Sequence, residues 1–110
     1  MKCAIIGSRN LTINNLKPYL PENITEIISG GAIGIDACAK KYAISNNIKY
    51  KEFLPEYQLY GRSAPIKRNI QIIEYCDYVI AFWDGKSRGT KFVIDNCKKF
   101  NKDCKVYLKK

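Results

Sequence analysis

Two glycine-rich segments carry the residue types of a phosphate site: Ser29-Gly30-Gly31-Ala32-Ile33-Gly34-Ile35-Asp36 and Asp84-Gly85-Lys86-Ser87-Arg88-Gly89-Thr90. Each follows an apolar, β-branched run and precedes a helix-like stretch. At such a junction a phosphate can approach bare backbone, and the unpaired N–H groups of the helix start receive its charge. Four of the 19 basic residues are arginines, Arg9, Arg62, Arg68 and Arg88. All four fall in or beside loops expected along one edge of a sheet, and guanidinium is the planar, bidentate partner of phosphate. Together these residues point to a phosphorylated, nucleotide-derived ligand. Neither segment has the glycine spacing and Lys-Ser/Thr ending of a phosphate-loop ATPase. Each glycine also has a plainer reading: Gly30-Gly31 as a turn, Gly34 as a close helix–sheet contact.

The chain has no histidine, which removes the commonest general base and metal ligand. Chemistry would fall to carboxylates, tyrosine, cysteine or lysine, and the candidate catalytic groups are Asp36 and Glu56. Asp36 stands in the first turn of its helix, where a carboxylate complements the helix dipole; alternatively it contacts a ribose hydroxyl or a ligand amine. Trp83 is either core or a pocket wall. Tyr57 and Tyr60, in a long loop, either stack on a base or pin the loop to the body. Five cysteines at 3, 38, 76, 97 and 104 form no CxxC pair, so no zinc or other metal site is expected, nor any cofactor.

The elements that would position these residues alternate. Strands are expected at 2–7, 25–29, 48–54, 77–83 and 103–108. Helices are expected at 10–20, 33–46, 65–75 and 88–100, from apolar residues at helical spacing such as Ile35, Cys38, Ala39, Tyr42 and Ala43. Residues 55–64 read as a ten-residue loop, and Pro65 suits the first turn of the helix after it. This β-α alternation predicts a Rossmann-like α/β fold: a five-stranded parallel sheet with helices on both faces. In such sheets ligands bind beyond the carboxyl ends of the strands, at the switch in strand order. There Gly7-Ser8-Arg9, Ser29-Gly30-Gly31, residues 55–64 and Trp83 to Gly89 meet.

The chain of 110 residues reads as one nucleotide-binding domain, residues 1–110, large enough to fold without staples. No apolar run approaches the ~20 residues of a membrane span, and the N-terminus lacks a signal-peptide pattern. A reduced, cytoplasmic setting is expected from the odd cysteine count and the lack of a secretion signal. The net charge of +9 reads either as a lysine-rich solvated surface, the reading preferred here because the lysines form no single block, or as the footprint of a nucleic-acid partner. The sequence is compatible with a homo-oligomer.

Gly7-Ser8-Arg9, Ser29 to Asp36, Pro65-Ile66-Lys67-Arg68-Asn69 and Trp83 to Thr90 occur in that order. The set resembles the SLOG superfamily, and closely its small YspA/YpsA-related branch, across essentially the whole chain. It is also similar to the Rossmann-like core of DprA, the DNA-processing protein. The wider superfamily includes Lonely Guy phosphoribohydrolases and molybdenum-cofactor carriers. The resemblance implies a Rossmann-like fold and a nucleotide-type ligand held by Gly7, Ser8, Arg9, Ser29, Gly30, Gly31, Gly34, Asp36, Arg68, Asn69, Trp83, Asp84, Ser87, Arg88, Gly89 and Thr90. One departure stands out. The phosphoribohydrolases carry Gly-Gly-x-Gly-Thr-x-x-Glu at the second loop, and here Val93 takes the place of the glutamate. A valine can neither stabilise an oxocarbenium charge nor move a proton. The expected function is therefore binding of a nucleotide derivative as a sensor or carrier. The alternatives are N-glycosidic hydrolysis using Asp36 or Glu56, and single-stranded nucleic-acid binding.

Overall fold

A computed structural model describes residues 1–109. Five strands, β1 (Lys2–Gly7), β2 (Glu26–Ser29), β3 (Lys49–Glu52), β4 (Tyr78–Trp83) and β5 (Asp103–Leu108), form one sheet in the order β3-β2-β1-β4-β5. Every pairing is parallel. The helices are α1 (Ile35–Ser45), α2 (Tyr57–Tyr60), α3 (Ala64–Tyr75) and α4 (Arg88–Lys99).

Strand alternation builds two cores. Cys3 and Ile5 of β1 face one side with Ile27, Ile80 and Phe82, under Ile35, Ala39 and Ala43 of α1. Ala4 and Ile6 face the other with Ile28, Val79 and Ala81, under Ile72 and Ile73 of α3 and Val93 and Cys97 of α4. The central strands are buried on both faces, so they read as unbroken apolar runs. β3 and β5, at the edges, have exposed or half-buried residues throughout.

The helix ends follow local chemistry. Ser87 caps α4 by accepting from the Thr90 N–H, and Pro65 occupies the first turn of α3. α1 and α4 each stop at an asparagine in the left-handed region, Asn47 (φ 54) and Asn101 (φ 55). Ile48 N–H returns to the Ala43 carbonyl and Lys102 N–H to that of Cys97, the double turn that satisfies a helix's last carbonyls.

Two expectations need correction. Residues 10–20 form no helix but a coil with one 3-10 turn, Lys17–Tyr19. Pro18 lies inside that turn, and the Asn15 side chain accepts from the Lys17 N–H, offering the backbone an alternative to helical pairing. Leu11 and Leu16 still fill the core beneath α1. Residues 55–64 are not one loop: they hold α2 and a second 3-10 turn, Gly61–Ser63. On α3 the buried face is Ala64, Ile72 and Ile73, while Ile66 is exposed. All five cysteines are free. No described helix is long and apolar enough to cross a membrane.

Candidate functional site

β1 and β4 are neighbours, yet the chain leaves β1 toward β2 and leaves β4 toward β5 on the opposite side. Their connections therefore part at the carboxyl ends, and a cleft of about 470 Å³ opens there. That volume is in the range of small-molecule sites. Gly7, Ser8, Arg9 and Asn10 after β1, Gly30 and Ala32 after β2, and Asp36 of α1 line one side. Pro65, Arg68 and Asn69 of α3 and Ser87, Gly89 and Thr90 at the start of α4 line the other, over an apolar floor of Ile6, Ile72 and Val93.

Two glycines hold the cleft's shape by letting backbones touch. A Cβ on Gly7 would stand 2.6 Å from the Phe82 carbonyl oxygen and 2.5 Å from Ile35. One on Gly34 would stand 2.5 Å from the Arg9 carbonyl oxygen, and Gly34 has φ +77. Both positions press the start of α1 onto the turn after β1. Buried Ser8 completes the junction, its N–H bonded to the Phe82 carbonyl (3.0 Å) and its Oγ accepting from the Asp84 N–H (3.2 Å).

Gly30 serves differently. The site of its missing Cβ lies 2.5 Å from Arg68 Nη1 and 3.1 Å from Asp36 Oδ2. The absent side chain brings a guanidinium and a carboxylate together at the cleft wall. Arg68 Nη1 donates to the Gly30 carbonyl at 2.7 Å and Nε to Asn69 Oδ1 at 2.8 Å. Burial lowers the Arg68 pKa, opposed by Asp36 and Tyr57 and aided by Arg9. Asp36 is 6% exposed and its Oδ2 accepts from the Ala32 N–H. Burial raises its pKa above the usual carboxylate range, against the pull of the Ala32 N–H and Arg68.

At the second glycine loop the polar groups shape the turn. Asp84 Oδ1 accepts from the N–H groups of Lys86 and Ser87, both at 2.8 Å, which lowers its pKa. Trp83 Nε1 donates to the Ser87 carbonyl at 3.0 Å. Gly85 takes φ +84. The turn thereby aims the start of α4 at the cleft. The N–H groups of Arg88 and Gly89, in the first turn, have no intrahelical carbonyl to reach, and a Cβ on Gly89 would meet nothing within 4 Å. A phosphate fits this combination of open backbone, helix dipole and nearby arginine.

Of the residues singled out from sequence, Gly7, Ser8, Arg9, Gly30, Asp36, Arg68, Asn69, Ser87, Gly89 and Thr90 line one cleft. Ser29, Gly31, Gly34, Trp83, Asp84 and Arg88 do not line it. Ser29 is buried and hydrogen-bonded to the Tyr50 hydroxyl, and Arg88 is exposed. Glu56 is also exposed and outside the lining. Sequence reading missed Asn10, Ala32, Pro65 and the apolar floor as site residues. It also missed the polar chain behind Asp36, in which Tyr50 bonds both Ser29 and Glu52; the two-residue spacing of Tyr50 and Glu52 on β3 was its available signal. Among the described residues no group of three or more His, Cys, Asp or Glu could hold a metal ion.

The sequence model of the family described as DNA recombination-mediator protein A matches residues 1–56. The matched stretch runs from β1 through β3 and contains Gly7 to Arg9 and Ser29 to Asp36, one whole wall of the cleft. Searches of curated proteins and of solved structures give no match. The family match covers half of the chain and coincides with the glycines and the buried aspartate that build the cleft, and the chain belongs to the DNA recombination-mediator protein A family.

Proposed function

We propose that the chain binds a nucleotide or nucleotide-derived ligand in the switch-point cleft, as a sensor or carrier. One observation carries the reading: the half-buried Arg68 guanidinium and the open first turn of α4 face the same cleft, with Asp36 on the wall beside them. The first two suit a phosphate. A buried carboxylate repels phosphate and accepts from hydroxyls or amines, so Asp36 is assigned to the sugar or base. Hydrolysis is disfavoured, because Val93 forms part of the apolar floor and Glu56 stands outside the cleft. The motifs at 65–69 and 83–90 lie beyond the family match and support a finer placement in the YspA/YpsA-related branch.

A second reading is favoured by the family's name and by the net charge of +9: the partner is single-stranded nucleic acid. Thermal-shift or native mass measurements across mononucleotides, dinucleotides, cyclic nucleotides and short oligonucleotides separate the two. A ligand at about 100 times its Kd adds ~2.7 kcal/mol, a shift of several degrees for a domain of this size. Mononucleotide binding that needs Arg68 supports the first reading. Binding confined to oligonucleotides, steeply weakened by salt, supports the second. No shift with any of them overturns both.

A further inference from the structure

The molecule leaves an apolar surface beside the cleft that the phosphate site does not use. Among the described residues, six of the nine exposed large hydrophobic side chains, Ile33, Leu54, Tyr57, Leu59, Tyr60 and Ile66, belong to segments bordering it. Ile33 follows the lining residue Ala32, and Ile66 follows Pro65. Leu54 Cδ2 stands 2.6 Å from where a Cβ on Gly31 would be.

Tyr57 and Tyr60 are 59% and 37% exposed. They sit three apart on the single turn of α2, the spacing that places side chains on one face. α2 packs against α3, the helix that carries Pro65 and Arg68 into the cleft, so α2 borders the phosphate wall. Lys67 Nζ stands 5.9 Å from the centre of the Tyr60 ring, and Arg62 follows in the next turn. Between residues 54 and 68 the only acid is Glu56. Exposed aromatic faces interleaved with cations match the two halves of a nucleotide, base and phosphate. A protein partner would need acids to answer the same cations.

We infer that Tyr57 and Tyr60 form a base-stacking subsite continuous with the cleft, so that the ligand carries a second nucleobase beyond the nucleotide held at Arg68. This deepens the nucleotide reading and rests on it. The chemistry is shared by free dinucleotides and by the end of a strand. Stacking on an aromatic side chain tolerates any base, so the subsite selects for a second base without selecting its identity.

The test uses the full chain and three probes: thymidine 5′-monophosphate, the 5′-phosphorylated thymidine dinucleotide, and that dinucleotide lacking one base, made at each position in turn. The dinucleotide should bind about 5- to 150-fold more tightly than the mononucleotide. One of the two abasic forms should lose that gain. Tyr60→Ala should lose it too while leaving mononucleotide affinity unchanged, Tyr57→Ala should also lose it, and Tyr57→Phe should keep it. A longer oligothymidine that binds no better than the dinucleotide assigns the site to free dinucleotides; further gain assigns it to a strand. Mononucleotide binding with no gain for the dinucleotide, or a gain untouched by base removal, overturns the subsite and leaves the cleft reading standing. Equal losses for both probes in the tyrosine variants also overturn it. So does a dimer that Tyr57→Ala dissociates without changing dinucleotide affinity. Absence of mononucleotide and dinucleotide binding alike overturns subsite and cleft together.

Discussion

Arg68 Nη1 donates to the carbonyl of Gly30 at 2.7 Å, tying the second turn of α3 to the end of β2 across the mouth of the cleft. The bond uses one guanidinium nitrogen and Asn69 takes Nε, leaving the other terminal nitrogen for a ligand. Arg68→Ala should therefore weaken a phosphorylated ligand by about 10- to 150-fold, the loss of a charge-assisted hydrogen bond. Arg68→Lys should not restore it, because an ammonium cannot hold the carbonyl and a phosphate in the same fork. Arg88→Ala, on an exposed side chain, should change affinity far less. Equal losses for Arg68 and Arg88 in a titration would show general attraction instead of a built site.

Gly30 and Gly34 should fail in different ways. A Cβ on Gly30 meets the movable end of Arg68 at 2.5 Å. Gly30→Ala should therefore displace the guanidinium and cost ligand affinity much as Arg68→Ala does, with little change in Tm. A Cβ on Gly34 meets the Arg9 carbonyl oxygen at 2.5 Å, at φ +77. Neither backbone can give way cheaply, so Gly34→Ala should destabilise the fold by about 1–3 kcal/mol, at roughly 4–8 °C of Tm per kcal/mol. Calorimetry and ligand titration on the two variants check this; a large Tm loss for Gly30→Ala would contradict it.

Asp36 should give stability a pH dependence of unusual sign. Burial raises its carboxyl pKa above 3.8, and Glu52 adds to this against Ala32 and Arg68. The folded chain then holds the proton more tightly than the unfolded chain. The penalty of the buried charge is fully present above the folded pKa and is relieved as pH falls through it toward 3.8. Compared with Asp36→Asn, the wild type should lose stability as pH rises through that window and level off above it. Urea midpoints of both proteins across about pH 4 to 7 read this directly. A wild type that instead gains on the variant with rising pH would mean that Arg68 outweighs burial.

Nucleoside monophosphates should release no free base in the presence of the protein. Val93 is 2% exposed in the apolar floor, where hydrolysis needs a carboxylate near the sugar. Val93→Glu should not create activity, since the sugar must also be positioned. Turnover by the wild type that Asp36→Asn abolishes would reverse this conclusion.

Most of the architecture was legible because its signals are local. The apolar runs Cys3 to Ile6 and Tyr78 to Phe82, alternating with helical spacing, are enough to imply a buried parallel sheet. Glycine loops after strands identified the edge where the cleft opens. The helix expected over 10–20 failed because Leu11, Leu16 and Leu20 mark an apolar side, yet Pro18 and the Asn15 turn removed the backbone pairing; leucines fill a core as well from coil. The one-turn α2 was invisible because four residues carry too little periodicity.

What the sequence determined by itself was the order of the five strands and of the three long helices α1, α3 and α4, and the set of glycines and arginines at their junctions. Only the tertiary structure decided what each does. Gly7 and Gly34 became contacts between backbones and Gly30 became space for Arg68, because what touches a missing Cβ depends on chain far away in sequence. Trp83 and Asp84 bond within their own loop and shape it, and Arg68 rather than Arg88 lines the cleft because α3 carries its guanidinium to the Gly30 carbonyl, 38 residues back along the chain.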